Sequence, residues 1–520
     1  MRETLRGCLI VCPAGSGAIG ATIRPMRAVA PVYAFGPFRL DTASCRLLRD
    51  EAPVDLSPRL YDLLRLFVSR PGELITKESL LEALWPGVFV TDNSLARAVA
   101  DLRSALQDRS SAPRFIQTVA RRGYRFVAPV KVTDRSGAEG VGGADPLARY
   151  RQWAEGRLAL ESLSRHGLPE ALASFERARA LAPRDPLVHV ALANGYLLGF
   201  EATRASVDPD RQQLERAVSE AREACVLAPD LGEVWATLGF VLVSAGRPDE
   251  ARAAARRAVD LEPGDWRHQF RLAHATWGEE RLRAVDRALA LFPGFPFAYF
   301  LASMVHVARG AFEAAEAALA RGADAQDAQQ GRPATFPASG LHWLRGLVLA
   351  ARGDRRGALD AFDRELACEA AGTIYAAEFS ANASVGRGCV LIDAGEPAAA
   401  AEAFTAAMTR LPHHARAHLG LSLSLRLLGR TDEARVERAA CEAALETGRS
   451  HRPAEAAIVS AAALACEGGQ DEGAAMLERF LVAAPRGFAG WTIPVEPWLG
   501  AMRGTAAFRR VLLTLAERAA

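Results

Sequence analysis

Lysine is almost missing from this sequence: of 63 basic residues only Lys77 and Lys131 are lysines, and the rest are arginines. Together with heavy alanine use, that bias is a signature of GC-rich bacterial coding rather than of function. There is no acidic or basic tail, and the formal net charge is only +2, so bulk charge selects no partner. Cysteine lacks a pattern. Cys8, Cys12, Cys45, Cys225, Cys368, Cys389, Cys441 and Cys466 show neither a disulfide framework nor zinc-ligand spacing, which suits a reducing cytoplasm and small buried side chains. Long apolar runs are missing too. The strongest, Phe292 to Ala308, is interrupted by Pro293, Pro296 and His306 and falls short of the roughly 20 residues of a spanning helix. A buried helix is expected there, and no membrane partner.

Half of the residues are apolar, as in a globular protein. A chain of 520 residues exceeds one core, so at least two folding units are expected. Residues 1–30 contain Gly15-Ser-Gly17-Ala-Ile-Gly20 after a short apolar run. That spacing matches a dinucleotide loop, but such a loop needs a βαβ unit of roughly 30 residues to carry it. A different domain begins near residue 31, and the lysine of a phosphate-binding loop is missing. The segment is therefore read as a flexible extension, or as the product of a start codon placed ahead of Met26.

From residue 31 the pattern sharpens. Tyr33, Phe35, Phe38 and Leu40 alternate as in one half-buried strand over Val32–Leu40, with strand-like pieces at Cys45–Leu48 and Pro53–Leu56. Ser57-Pro58 offers a cap followed by proline at the first helical position. Leu60, Leu63, Leu64 and Phe67 then recur at helical spacing until Pro71-Gly72. A second helix is expected from the cap Thr76 to Trp85-Pro86. A third opens at Asp92-Asn93 and runs to Leu106, with Leu95, Val99, Leu102 and Leu106 on the stripe that must face the core. Phe115–Val119 and Tyr124–Val127 read as a hairpin over Ala120-Arg121-Arg122-Gly123.

The phrases VTDNSLARAVADLRSAL and FIQTVARRGYRF, in this order, resemble the winged-helix effector domain of OmpR/PhoB-type regulators, and within it the one-component CadC and ToxR kind. The resemblance implies a recognition helix in the major groove of double-stranded promoter DNA and a wing at the adjacent minor groove. By position it assigns Asn93, Ser94, Ala96, Arg97, Ala100 and Arg103 to the major groove. Arg97 and Arg103 would each meet a guanine edge or a phosphate, Thr118 would meet a phosphate, and Arg121 and Arg122 would be the cations of the wing. Ala100 and Asp101 stand where some members carry arginine, so no target sequence can be borrowed. Independently of any family, Asn93 to Arg125 holds seven arginines against Asp101 and Asp108, a local 7 − 2 = +5, and a duplex favours such a face through counterion release. Neither a receiver domain before this module nor a membrane span after it is seen.

Residues 131–146, KVTDRSGAEGVGGADP, read as a flexible linker. Beyond them the chain repeats itself. Trp235, Leu238, Gly239, Leu242, Ala251, Ala255, Ala258 and Pro263 resemble the tetratricopeptide repeat of 34 residues. Ala171/Phe175/Ala178/Pro183, Ala217/Ala221/Ala224/Pro229, Gly346/Leu349/Ala358/Phe362, Gly388/Leu391/Ala400/Phe404/Ala407/Pro412 and Leu419/Gly420/Gly429/Ala434 fit in part. The stretch 294–336 looks degenerate, with AQDAQQGRPATFP as a loop. Roughly eight or nine helix pairs are expected, closed by a cap around Trp498 and Phe508. His413, His414 and His418 include an i, i+4 pair that could ligate a metal, but no third ligand stands nearby in sequence, so they are read as a repeat-junction cluster.

The expected fold is thus mainly α, with a small α+β winged helix at 31–130 followed by an α-solenoid at 147–520. The expected function is sequence-specific regulation of transcription from the cytoplasm. The array would sense a protein, peptide or ligand or mediate self-association, including a homodimer on tandem half-sites. No catalytic residues, metal or cofactor are expected. The alternative is a scaffold whose winged helix binds protein.

Overall fold

The computed structural model describes residues 32–41, 46–50, 52–54, 56, 58–84, 92–109, 113–119, 122–133, 167–206, 208–329, 338–448, 452–485 and 487–520. The extension at 1–30 lies outside them. The chain divides into two compact units, residues 1–80 with 92–142 and residues 143–520 with 81–91. Among the described residues, regular structure apart from eight short strands is helical, so the expected fold class holds.

In the first unit β1 (Val32–Phe35), β2 (Phe38–Asp41), β3 (Arg46–Arg49) and β4 (Ala52–Val54) form an antiparallel meander. Val32–Leu40, expected as one strand, is a hairpin. Gly36 turns the chain in the left-handed region at φ +53, where glycine alone escapes a Cβ penalty. Three helices follow: α1 (Pro58–Ser69), α2 (Lys77–Leu84) and α3 (Asp92–Leu106). Thr76 caps α2, its Oγ1 accepting from the Ser79 amide at 3.2 Å. A second sheet joins β5 (Leu74–Thr76), β6 (Ile116–Val119) and β7 (Gly123–Phe126) in the order β5-β7-β6. Residues 131–133, assigned above to the linker, form β8 (Lys131–Thr133), which pairs with β1. β1 is thereby paired on both edges, with β2 on one side and these three residues on the other. Phe35 sits edge-on to Phe115 and Phe126 at 5.8 and 5.3 Å between centroids, over buried Leu63, Leu64, Phe67, Leu95, Val99 and Leu102.

The second unit contains, among the described residues, eight consecutive antiparallel helix pairs from Pro186–Glu201 with Arg211–Leu227 to Pro453–Cys466 with Gln470–Ala483. Helix Leu168–Leu181 precedes them and Ala506–Ala519 follows. Small residues set the spacing. A Cβ on Gly239 would lie 2.9 Å from the Ala251 carbonyl oxygen and 3.2 Å from the Ala255 Cβ, so only glycine lets helices Gly232–Ser244 and Pro248–Leu261 close. The buried helix expected over 292–308 is Pro296–Ala308, and the stretch read as degenerate is a regular pair that it forms with Phe312–Asp327. Its first helix is buried on nearly all sides, so it carries no polar stripe by which a 3.6-residue period could be seen. Of the expected loop AQDAQQGRPATFP, residues 325–327 are helical and 330–337 lie outside the described residues.

A recurrent clasp ties five of the junctions among the described residues. The proline after one pair offers its carbonyl oxygen to a side chain six residues on, and the donor changes chemistry from repeat to repeat. Trp235 Nε1 donates to Pro229 at 2.7 Å, Gln269 Nε2 to Pro263 at 3.3 Å and the Tyr299 hydroxyl to Pro293 at 3.1 Å. His189 and His418 fill the same position against Pro183 (2.9 Å) and Pro412 (2.8 Å), with Nδ1 on Glu220 (2.6 Å) and Glu437 (2.7 Å). At His189 both ring nitrogens thus face acceptors, which favours the imidazolium form.

The Glu220 hydrogen bond raises the His189 pKa against the opposing effect of burial, and the Pro183 carbonyl raises it further. A raised folded-state pKa gives stability that is complete below the unfolded value of about 6.5 and is lost as pH rises through the folded value. We therefore expect His189→Gln to lower the thermal midpoint of the full chain at pH 6 and to matter less at pH 8.5. An equal loss at both values would show that the clasp works without the proton.

The final segment does more than cap the last pair. Trp498 and Phe508 are buried as expected, but Trp491 meets Phe300 and Trp343, each at 6.4 Å between centroids. Arg309 Nε donates to the Ala519 carbonyl at 2.9 Å. Arg204 also reaches Glu378, with 3.0 Å between Nη2 and a carboxylate oxygen. The repeats therefore wind back on themselves, and residues 491–519 cross the opening helices of the middle pairs. Where Pro248–Leu261 gives way to Trp266–Ala275 and Gly278–Leu291, Arg281 is fully buried, with no carboxylate partner among the described residues. Its guanidinium donates to the carbonyls of Ala273 (2.9 Å), Thr276 (2.8 Å) and His274 (3.3 Å), closing the end of the short helix Trp266–Ala275.

Candidate nucleic-acid interface

The helix α3 has two faces because its apolar residues recur every three or four positions. Leu95, Ala98, Val99, Leu102 and Leu106 are buried, and Ala96, Arg97, Ala100, Asp101 and Ser104 are exposed. The exposed set falls at i, i+1, i+4, i+5 and i+8, one continuous strip along the helix. Four of its five side chains are short, so a second surface can approach the helix backbone, and Arg97 is the one long cation on it. Asn93 and Ser94 lie in the first turn of the same helix.

Arg103, expected on this strip, is not on it. It is half-buried, and its Nη2 donates to the Ile116 carbonyl at 2.7 Å and to Thr118 Oγ1 at 2.9 Å. The helix is thereby bound to β6. Thr118 itself is exposed. Arg122 is exposed in the turn between β6 and β7, its amide donating to the Val119 carbonyl at 3.0 Å and its carbonyl accepting from the Lys77 amide at 3.3 Å. Arg121 lies outside the described residues. Gly123 follows at φ +155, and a Cβ there would collide with the Ile75 carbonyl, so glycine is required for the sheet to close behind the turn.

Asp108 was counted above only as a negative charge. It is buried, and its carboxylate accepts from the amides of Arg114 (2.7 Å), Phe115 (3.3 Å) and Ile116 (2.8 Å). Gln107 before it takes a positive φ of 53, which ends α3 and aims the aspartate at the incoming strand. A lone acid between a helix end and a strand in an arginine-rich stretch was the only sequence signal for this role. With Asp108 withdrawn, Arg97, Arg109, Arg114 and Arg122 are exposed against Asp101 alone in the described part of Asn93 to Arg125. The surface is cationic, and the carboxylate that seemed to offset it faces inward.

Residues of two other clusters make hydrogen bonds within the repeats. His414 bonds Asn382 through Nε2 at 3.0 Å, and His418 is held by Glu437 and Pro412 as described. Glu262, Asp265 and His268 bring their ligand atoms within 4.8 Å of one another. Glu262 already accepts from the Gly232 amide at 3.1 Å and meets His268 Nε2 at 3.0 Å, and Asp265 caps a helix through the Arg267 amide at 2.8 Å. Among the described residues no helix is long and apolar enough to cross a membrane.

Residues 51–126 match the family described as "Transcriptional regulatory protein, C terminal", and residues 232–275 and 385–446 match tetratricopeptide repeats. The chain is similar to the transcriptional activator CadC of Escherichia coli K12, 31% identical over 101 residues, covering 19% of this chain and 20% of CadC. It is also similar to the phosphate regulon transcriptional regulatory protein PhoB of Klebsiella pneumoniae, 35% identical over 112 residues, covering 21% of this chain and 48% of PhoB. Among solved structures, the DNA-binding domain of Escherichia coli CadC is 30% identical with a TM-score of 0.18, over 20% of this chain and 98% of that one. The chain thus spans between a fifth and a half of the length of these curated relatives. Both resemblances drawn from the residues, to the OmpR/PhoB-type winged helix and to tetratricopeptide repeats, hold.

Proposed function

We propose that the chain is a one-component transcriptional regulator that binds promoter DNA through α3 and the β6–β7 wing. The observation that carries this reading is the exposed strip of α3, short except for Arg97 and bordered by arginines that, among the described residues of 93–125, meet only Asp101 as an exposed acid. In this reading Asn93, Ser94, Ala96, Arg97 and Ala100 face base edges in the major groove. Thr118 meets a phosphate, and Arg121 and Arg122 reach the neighbouring minor groove. The clasped repeats offer a surface to a protein partner, a ligand or a second copy of the chain, and tandem half-sites would pair two copies on DNA. A ligand of the array changes promoter occupancy only if it binds the DNA-competent state with a different affinity. The same reading places the protein in the cytoplasm and assigns it no catalysis.

The test is binding of the full chain and of Arg97→Ala to the duplex upstream of its own gene and to a random pool. Arg97→Ala should cost about 1–3 kcal/mol of affinity. A base contact would also relax preference at one base pair, whereas a phosphate contact would flatten the salt slope by about one. An Arg97→Ala chain that binds as the unaltered one does would remove this strip from the interface.

A further inference from the structure

One side chain joins the recognition helix to the wing. Arg103 leaves the edge of α3 half-buried, and a single nitrogen, Nη2, holds both the Ile116 carbonyl and the Thr118 hydroxyl, 13 and 15 residues further on. Its Nε is also buried, without a hydrogen-bond partner. To reach DNA itself the guanidinium would have to leave both bonds and the packing around its stem.

We infer that Arg103 is a positioning residue that presents the exposed Thr118 hydroxyl, as a hydrogen-bond donor, to a phosphodiester oxygen. The inference rests on the DNA-binding reading above and changes the part Arg103 plays in it. A hydroxyl has one proton and two lone pairs, and a guanidinium can only donate. The 2.9 Å bond from Arg103 therefore occupies a lone pair of Thr118 Oγ1 and leaves its proton free to point elsewhere. Donation from a charged group also polarises the hydroxyl and strengthens it as a donor. A phosphodiester oxygen accepts and never donates, so it complements a hydroxyl held in this state. The bond to the Ile116 carbonyl, two residues back on the same strand, fixes the strand as well as the side chain. Helix and wing thus keep one spacing when they meet a duplex.

The experiment is a double-mutant cycle on the full chain. The probe is a duplex that the unaltered chain enriches from a random-sequence pool. Dissociation constants are measured for the unaltered chain, Arg103→Ala, Thr118→Val and the double variant. Each single change should weaken binding about tenfold, the worth of one charge-assisted hydrogen bond. The double variant should be weaker by about the same factor, because removing the positioning group after the group it positions costs little more. The preferred base sequence should stay the same in all four.

Losses that multiply to about a hundredfold in the double variant would mean two independent contacts and overturn the inference. So would relaxed preference at one base pair in Arg103→Ala, which marks a direct base contact. An Arg103→Ala chain with a lower thermal midpoint but an unaltered dissociation constant would make the residue structural only. If the unaltered chain enriches no duplex, the DNA-binding reading itself falls, and this one with it.

Discussion

Asp108→Ala should release the wing from the recognition helix and cost roughly 3–5 kcal/mol, on the basis of three hydrogen bonds to a charged acceptor that are not fully additive. The carboxylate gathers the amides of Arg114, Phe115 and Ile116, and Phe115 and Ile116 are buried. Alanine leaves donors that water cannot reach, and the penalty for an unmet buried donor exceeds the net worth of the bond that is lost. Domains of this size have about 5–15 kcal/mol in all, so the winged helix would sit near its unfolding threshold. Amide hydrogen exchange over residues 108–119 of the full chain checks this: protection at 114–116 should collapse while the repeats keep theirs. Asp108→Asn retains one acceptor oxygen and should lose less. Unchanged protection in Asp108→Ala would mean that β6 is held by its sheet partners alone.

The second large effect concerns the array. Phe404→Ala should destabilise the repeat unit by about 3–5 kcal/mol, as a fully buried aromatic does when cut to a methyl. Phe404 is fully buried where three helices converge. It comes from Pro397–Arg410 and lies against Gly388 of Ala376–Asp393 and Gly420 of Ala415–Leu427, with Trp498 at 5.8 Å between centroids. A Cβ on Gly388 would come within 2.6 Å of the ring, so the space is shared down to the last methyl. The complementary change, Gly420→Val, puts a branched side chain where the ring stands and should cost at least the 1–3 kcal/mol or so of overpacking. Denaturant unfolding followed by helical circular dichroism reads both. Because each repeat depends on its neighbours, the loss should show as earlier unfolding of the whole array. A local change in protection around residue 404 alone would contradict that coupling.

These two sites show where sequence reasoning succeeds and where it stops. Phe404, Gly388 and Gly420 were legible because a repeat states its packing rule several times in one chain. The recognition helix was legible because its cap and its apolar stripe agree over fifteen residues. The turn at Gly36 left a trace, since Phe35 and Phe38 are three apart and break the alternation. That signal was outweighed by the aromatic residues on either side. The helix Pro296–Ala308 was expected as a buried helix, but its place in a regular pair with Phe312–Asp327 was missed, because a segment buried all round has no period to show. The strand Leu74–Thr76 is too short to announce itself. Arg103 and Asp108 lay beyond reach for a different reason. Their partners are six to fifteen residues away along the chain and include backbone amides and carbonyls, which every sequence has. Composition counted Asp108 as a charge opposing DNA, whereas burial turned it into the residue that shapes the wing.

The measurement that bears most directly on the account is a salt titration of the full chain on the duplex upstream of its own gene. If α3 and the wing grip the duplex through exposed arginines, the logarithm of the affinity should fall linearly with the logarithm of salt, with a slope of about −0.9 per phosphate neutralised. Several phosphates should be counted in this way, and a random duplex should bind more weakly with much of the same salt dependence. Failure to bind either duplex at any salt would contradict the account and leave the winged helix as a module for binding protein.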